Sequence, residues 1–175
     1  VNSARVTQIL IDNFDIKLVI NVGTAGSVDN SLEIGDVVVA TELVQYDFDV
    51  TAFGREKGFI PETGKFFESD KSLLDNCKNI KIDNQKIVPG IIGSGDIFLT
   101  DTHLKEKLKQ EFNCTCVEME GAAIAQAAYI NQVPFLIIRC ISDMADDGGE
   151  NTYSFNEETA ANICAEFVLN FIKRC

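Results

Sequence analysis

The sequence predicts one α/β domain over residues 1–175, built on a mixed, mostly parallel sheet flanked by helices. Three observations lead there. A β-branched run at residues 18–22 has the pattern of a strand buried on both faces, as in parallel sheets, and the apolar stretch 133–138 also reads as strand. Segments with helical spacing separate several of these runs. Finally, 175 residues suffice for one sizeable core but not for two ordinary ones, and no repeat or low-complexity linker divides the chain.

Ala4, Ile9, Leu10 and Phe14 fall near helical spacing and predict an amphipathic helix over residues 2–13. The strand at 18–22 gives way to Gly23-Thr24-Ala25-Gly26, a small-residue segment that reads as a tight loop. Residues 34–40 and 43–46 read as further strand. Between 47 and 65 the glycines and Pro61 break any element, yet Val50, Phe53, Phe59 and Ile60 are too apolar for a merely solvated loop. A helix starts within 69–77, and a strand over 87–92 ends at Gly93-Ser94-Gly95-Asp96. Residues 102–112 form a polar helix, 114–118 a short strand and 121–130 an alanine-rich helix able to pack closely on a sheet. The last strand covers 135–141. A closing helix over 156–173 turns Ala160, Ile163, Cys164, Phe167, Val168 and Phe171 to one side.

A formal net charge of -12 argues against nucleic acid and anionic membranes as partners, since both repel an acidic surface. Lys105, Lys107 and Lys109 alternate with acids and read as a solvated helix face. Six cysteines include no C-x-x-C pair, and Cys140 and Cys164 sit in apolar patterns as small hydrophobes. His103 is the single histidine, which disfavours a histidine-rich metal centre or a Ser-His-Asp triad. Reduced cysteines and the absence of a signal-type segment point to the cytoplasm. The chain opens at Val1 inside a helical pattern, which reads as the remainder of a longer polypeptide.

The chemistry concentrates where strands open into loops. Asp143 follows an apolar strand and precedes a polar segment, the position at which α/β enzymes bind ligands. Val117-Glu118-Met119-Glu120 ends another apolar run and supplies further carboxylates. Paired acids at comparable strand ends fit acid/base work, although helix capping and pairing with Arg139 would be the plainer use of each. The segments 23–26 and 93–98 could let backbone N–H groups approach a ligand; either taken singly is as well explained as a turn.

In order along the chain, Asn21-Val22-Gly23-Thr24-Ala25-Gly26, Ile34-Gly35-Asp36-Val37-Val38, Asp49-Val50-Thr51-Ala52-Phe53-Gly54, Ser94-Gly95-Asp96, Val117-Glu118-Met119-Glu120 and Arg139-Cys140-Ile141-Ser142-Asp143 resemble the 5′-methylthioadenosine/S-adenosylhomocysteine nucleosidases of the nucleoside phosphorylase-like fold. That resemblance implies hydrolysis of an N-glycosidic bond, releasing adenine, by a homodimer with a shared active site and no metal or organic cofactor. Asp143 matches the general acid that protonates purine N7, with Ser142 orienting it. Glu120, beside Met119 and Glu118, matches the carboxylate at the ribose. Phe98 matches a ring stacked on adenine, and Leu99 a backbone reader of its edge. Thr24, Ala25 and Gly26 match the loop near the ribose and the attacking water, and Phe155 an aromatic over the purine. Val50, Phe53 and Pro61 match the alkylthio pocket, with Phe53 and Pro61 supplied by the partner subunit. Arg139 matches a buried arginine near the site, and serves as well for a core ion pair.

The resemblance also implies amino-terminal strands and a water-activating glutamate that would precede Val1. Asn21 stands where phosphate-using relatives tend to carry arginine, which favours water as the attacking group. Three rivals stay open: a purine nucleoside phosphorylase, a hydrolase for another adenosine-type nucleoside such as a futalosine-like one, and a non-catalytic purine-binding module.

Overall fold

Five of the six strands close into a ring. The computed structural model describes residues 1–146 and 149–174, apart from the side chains of Glu150, Asn151 and Phe155. Its elements are α1 (Asn2–Asn13), β1 (Val19–Ser27), β2 (Val37–Gln45), β3 (Phe67–Glu68), α2 (Lys71–Cys77), β4 (Ile87–Ser94), α3 (Thr102–Phe112), β5 (Cys114–Glu118), α4 (Gly121–Ile130), β6 (Phe135–Asp143) and α5 (Gly149–Ile172). The sheet order is β3-β2-β4-β5-β1-β6, and β6 also pairs with β2. The long pairings β1–β6, β2–β4 and β4–β5 are parallel. The antiparallel contacts are short: Gly26 and Ser27 against Val117 and Cys116, Val37 to Val39 against Cys140 to Ile138, and β3 against β2. The sheet is therefore mixed and mostly parallel, as the order of helices and strands in the sequence predicts.

Side-chain alternation sends consecutive strand residues to opposite faces. Val38, Ala40, Ile137 and Ile141 pack with Ala122, Ile124, Ala125 and Ala128 of α4. Val37, Val39, Leu136, Ile138 and Cys140 pack with Ala160, Cys164, Phe167 and Phe171 of α5. A third cluster holds Val44, Tyr46, Cys114 and Val117 against Leu108 and Phe112 of α3. The small side chains of α4 permit its close seat on the strands, while Asp101 caps α3 by accepting from the His103 and Leu104 N–H groups. Cys77, Cys114, Cys116, Cys140 and Cys164 are all buried, spread over the three clusters.

Several boundaries differ from those the sequence predicts. Gly23-Thr24-Ala25-Gly26 is not a loop: it continues β1, because each residue finds a ladder partner on β6. Residues 37–45 form one strand rather than two pieces. α5 begins at Gly149, well before residue 156. Lys105 does not lie on a solvated face; it is 7 % exposed. Within the loop at 47–65, Ile60 packs against the core as its apolar character requires, whereas Phe53 is 84 % exposed. No helix among the described residues is long and apolar enough to cross a membrane.

Candidate active site

The carboxyl-side ends of β1, β4, β5 and β6 open on one side of the ring, where they enclose a cavity of about 240 Å³. Thr24, Ala25 and Gly26 form one wall, Val117 to Glu120 another, and Ser142 and Asp143 the floor between them. Ile97, Phe98 and Leu99, just past β4, face Tyr153 of α5 across the mouth.

Asp143 reaches this cavity through an irregularity in the ladder. Ala25 pairs with Ile141 but Gly26 pairs with Asp143, so Ser142 is an extra residue on β6. An inserted residue breaks the alternation of a strand and re-aims the side chains after it. The Asp143 side chain is 2 % exposed. Its Oδ2 accepts from Ser142 Oγ at 2.9 Å and its Oδ1 from the Ala145 N–H at 2.9 Å. Burial pushes its pKa above the usual aspartate value, against the lowering effect of those two donors. Gly26 makes room: a Cβ there would stand 2.7 Å from Asp143 Oδ1 and 2.9 Å from the Ala145 Cβ.

The two acids of Val117-Glu118-Met119-Glu120 have separate environments. Glu118 is 7 % exposed and turned inward: it is bonded to the Arg139 guanidinium and the Ser94 hydroxyl, and accepts from the N–H groups of Glu120 (3.0 Å) and Gly121 (2.7 Å). Ser94 Oγ in turn accepts from the Ala122 N–H at 2.7 Å. A carboxylate at a helix amino terminus satisfies donors that the helix leaves unpaired. Arg139 stands behind the cavity wall, 2 % exposed, and also donates to the Ile138 carbonyl at 3.0 Å. Glu120 makes no cap bond to α4 and its side chain lies in the cavity. Partial burial, and then the charge of Glu118, hold its pKa above the usual glutamate value.

Phe98 meets Tyr153 edge-on, with ring centroids 5.5 Å apart and planes at 72°. Of the residues singled out from the sequence, Thr24, Ala25, Gly26, Phe98, Leu99, Glu118, Met119, Glu120, Ser142 and Asp143 line the cavity. Val50, Phe53 and Pro61 do not line it within this chain. The Phe155 side chain lies outside the described residues. Ile97, Val117 and Tyr153 also line the cavity, and sequence reasoning does not single them out. Tyr153 stands two residues before Phe155 in the same aromatic segment, and its phenol is raised above the usual tyrosine pKa by burial first and by Glu157 next.

An α/β enzyme with carboxylates and an aromatic pair gathered at its strand ends is the class that this arrangement defines. The family model for the phosphorylase superfamily matches residues 1–174. A 5′-methylthioadenosine/S-adenosylhomocysteine nucleosidase of Halalkalibacterium halodurans is 41% identical, with 99% of this chain and 76% of that protein aligned. A solved structure of the Helicobacter pylori 5′-methylthioadenosine/S-adenosylhomocysteine nucleosidase, a variant with 5′-methylthioadenosine in the active site, superposes with a TM-score of 0.95 at 36% identity. That match covers 99% of this chain and 75% of the other. The futalosine hydrolase of Helicobacter pylori superposes with a TM-score of 0.93 at 35% identity, over 99% of this chain and 75% of its own. The chain belongs to the 5′-methylthioadenosine/S-adenosylhomocysteine nucleosidase family within the phosphorylase superfamily.

Proposed function

We infer that this chain is an N-glycosyl hydrolase that cleaves 5′-methylthioadenosine and S-adenosylhomocysteine to adenine and the corresponding thioribose. The observation that carries the chemistry is the buried Asp143 carboxyl, set at the cavity floor by an extra strand residue and held above its usual pKa. Adenine is a poor leaving group as an anion. When the bond between the purine nitrogen and the ribose breaks, its electron pair passes to the purine, and a proton delivered to N7 by Asp143 neutralises it. Ser142 orients that carboxyl. The ribose gains positive character as the bond opens, and the Glu120 carboxylate beside its hydroxyls stabilises this charge. Water then adds to the sugar carbon: its oxygen becomes the new hydroxyl, and the proton it loses passes to solvent, from which Asp143 is reprotonated. Met119 packs at the ribose, Phe98 stacks on the purine with Tyr153 set edge-on against it, and the backbone at Leu99 reads the purine's edge. Thr24, Ala25 and Gly26 border the sugar and the water. Glu118 and Arg139 build the wall rather than touch substrate.

The active form in this reading is a homodimer. Phe53 and Pro61 are exposed within this chain, and Val6, Ile9 and Leu10 of α1, Phe14 just after it, and Tyr129 and Ile130 of α4 are exposed as well. Phe53 and Pro61 would cover the thioether tail in a partner's pocket, and Val50 would line it from its own chain. Buried thiols suit a reducing, cytoplasmic setting.

A second reading is favoured by the likeness to a futalosine hydrolase: the same kind of bond cleaved in another purine nucleoside with a different 5′ group. Chromatography of products from methylthioadenosine, S-adenosylhomocysteine and futalosine, each with and without phosphate, separates these readings. Adenine and thioribose independent of phosphate are expected. A sugar 1-phosphate would instead make the enzyme a phosphorylase, and turnover of futalosine alone would make it the second kind of hydrolase.

A further inference from the structure

The lysines of α3 have different fates. Lys107 pairs with Glu111 at 3.6 Å and Lys109 with Asp29 at 3.0 Å, both near the surface. Lys105 instead turns inward and donates from Nζ to the Met144 carbonyl at 2.6 Å. A carbonyl is no counter-ion, and an ammonium withdrawn from water is costly unless nearby charge compensates it. The Lys105 charge acts on Asp143, at the head of the same turn, and favours the carboxylate that remains once this acid has given up its proton.

That turn is conformationally demanding. Ala145 has φ +50, in the left-handed region that residues with a Cβ seldom adopt, and its N–H donates to Asp143 Oδ1. Met144 is the residue between them. A bond from Lys105 to the Met144 carbonyl therefore fastens the peptide unit on which the Ala145 N–H is carried.

We propose that Lys105 is a positioning residue for glycosidic-bond cleavage: it anchors the 143–145 turn, so that the Asp143 carboxyl is held in one orientation and its charge is balanced from α3. The proposal rests on Asp143 being the proton donor. The groups that face Asp143 are Asp146 on its own turn, Lys105 from α3 and Tyr153 from α5; Glu157 bears on Tyr153, and the Lys109–Asp29 pair lies one turn beyond Lys105. Burial and Asp146 favour the protonated carboxyl, whereas the Ala145 N–H, Ser142 and Lys105 favour the charged one. Removing the Lys105 charge thus raises the Asp143 pKa further. Activity that needs a protonated Asp143 is lost as pH rises through that pKa, so the loss moves to higher pH.

The experiment measures kcat and KM for methylthioadenosine across pH in the wild-type enzyme and in Lys105→Met, Lys105→Gln, Lys105→Arg and Asp143→Asn, with Tm followed throughout. In Lys105→Met the plateau of kcat is expected to fall roughly 10- to 100-fold with little change in KM, the usual consequence of a misplaced catalytic group. Its basic limb should move to higher pH, and Lys105→Arg should bring that limb back. A Lys105→Met enzyme with the wild-type plateau and limb, losing only Tm, overturns the proposal. If that variant does not fold, Lys105→Gln is read for the same plateau and limb with the same force. An inactive Asp143→Asn beside a wild-type Lys105→Met removes this proposal alone, whereas an active Asp143→Asn removes the reading beneath it.

Discussion

Replacing Gly26 by Ala tests how tightly the fold holds the Asp143 carboxyl. The added Cβ would stand 2.7 Å from Asp143 Oδ1, where ordinary contact begins at 3.4 Å, so the oxygen must recede by about 0.7 Å. It cannot recede freely, because the same Cβ also meets the Ala145 Cβ at 2.9 Å, and Ala145 donates to that oxygen. Overfilling of this kind costs about 1–3 kcal/mol of stability. A displacement approaching 1 Å in a reacting group lowers turnover by roughly 10- to 100-fold. Gly23→Ala is the control on the same strand, since the nearest atoms to its Cβ would be those of the Arg139 guanidinium, at 3.5 Å and ordinary contact. Steady-state kinetics with methylthioadenosine, with urea unfolding in parallel, should show kcat falling in Gly26→Ala and both kcat and stability near wild type in Gly23→Ala. Equal kcat in Gly26→Ala and wild type would mean that the carboxyl tolerates this shift, and that its placement does not limit the rate.

Arg139→Met should cost about 3–5 kcal/mol in urea unfolding by leaving Glu118 buried without its partner, and adding Glu118→Gln should recover part of that loss; strictly additive losses would show that the two side chains are not coupled. Phe53→Ala should raise KM for methylthioadenosine more than for adenosine, through loss of about 1–3 kcal/mol of apolar contact, and should weaken the dimer in sedimentation; a stable monomer with unchanged preference refutes the shared pocket. Asp29 is held at a pKa of about 2, below the usual aspartate value, first by the Ser31 N–H and then by Lys109, so its contribution is present above the unfolded value and lost as pH falls through about 2. Because the pair is partly solvated, Asp29→Asn should cost at most about 1 kcal/mol at pH 6, with the difference gone in acid; a constant difference across that range would assign it to packing.

Much of this architecture is legible in the chain because burial on both faces leaves a continuous apolar signature. The runs at 18–22 and 133–138 mark β1 and β6, and the small side chains of 121–130 mark the closely packed α4. Closure of the ring is not legible. The β2–β6 and β1–β5 contacts are a few residues long and join distant segments, so no local periodicity encodes them. The cavity acids show in the sequence as acids at strand ends, but the inward turn of Glu118 toward Arg139 depends on a partner on another strand. Lys105 looks like its neighbours in alternating charge; only the seat of α3 against the 143–146 turn distinguishes it. Phe155 is drawn from the family resemblance, whereas Tyr153, two residues before it, lines the cavity because α5 already runs from Gly149, a start that the sequence pattern does not mark.

The interior thiols turn this fold into its own recorder of opening. Burial pushes Cys114 and Cys140 up to a pKa of about 12 and raises Cys116 and Cys164 as well, so none offers a nucleophilic thiolate near neutral pH while packed. Alkylation must then wait for water to enter, and its rate tracks the free energy of the breathing motion that admits it. Cys116 reports on the layer beneath α4, Cys140 and Cys164 on the layer beneath α5, and Cys114 on the layer beneath α3. Timed labelling read by mass spectrometry would therefore rank the three layers by how readily each comes apart, without introducing a foreign probe.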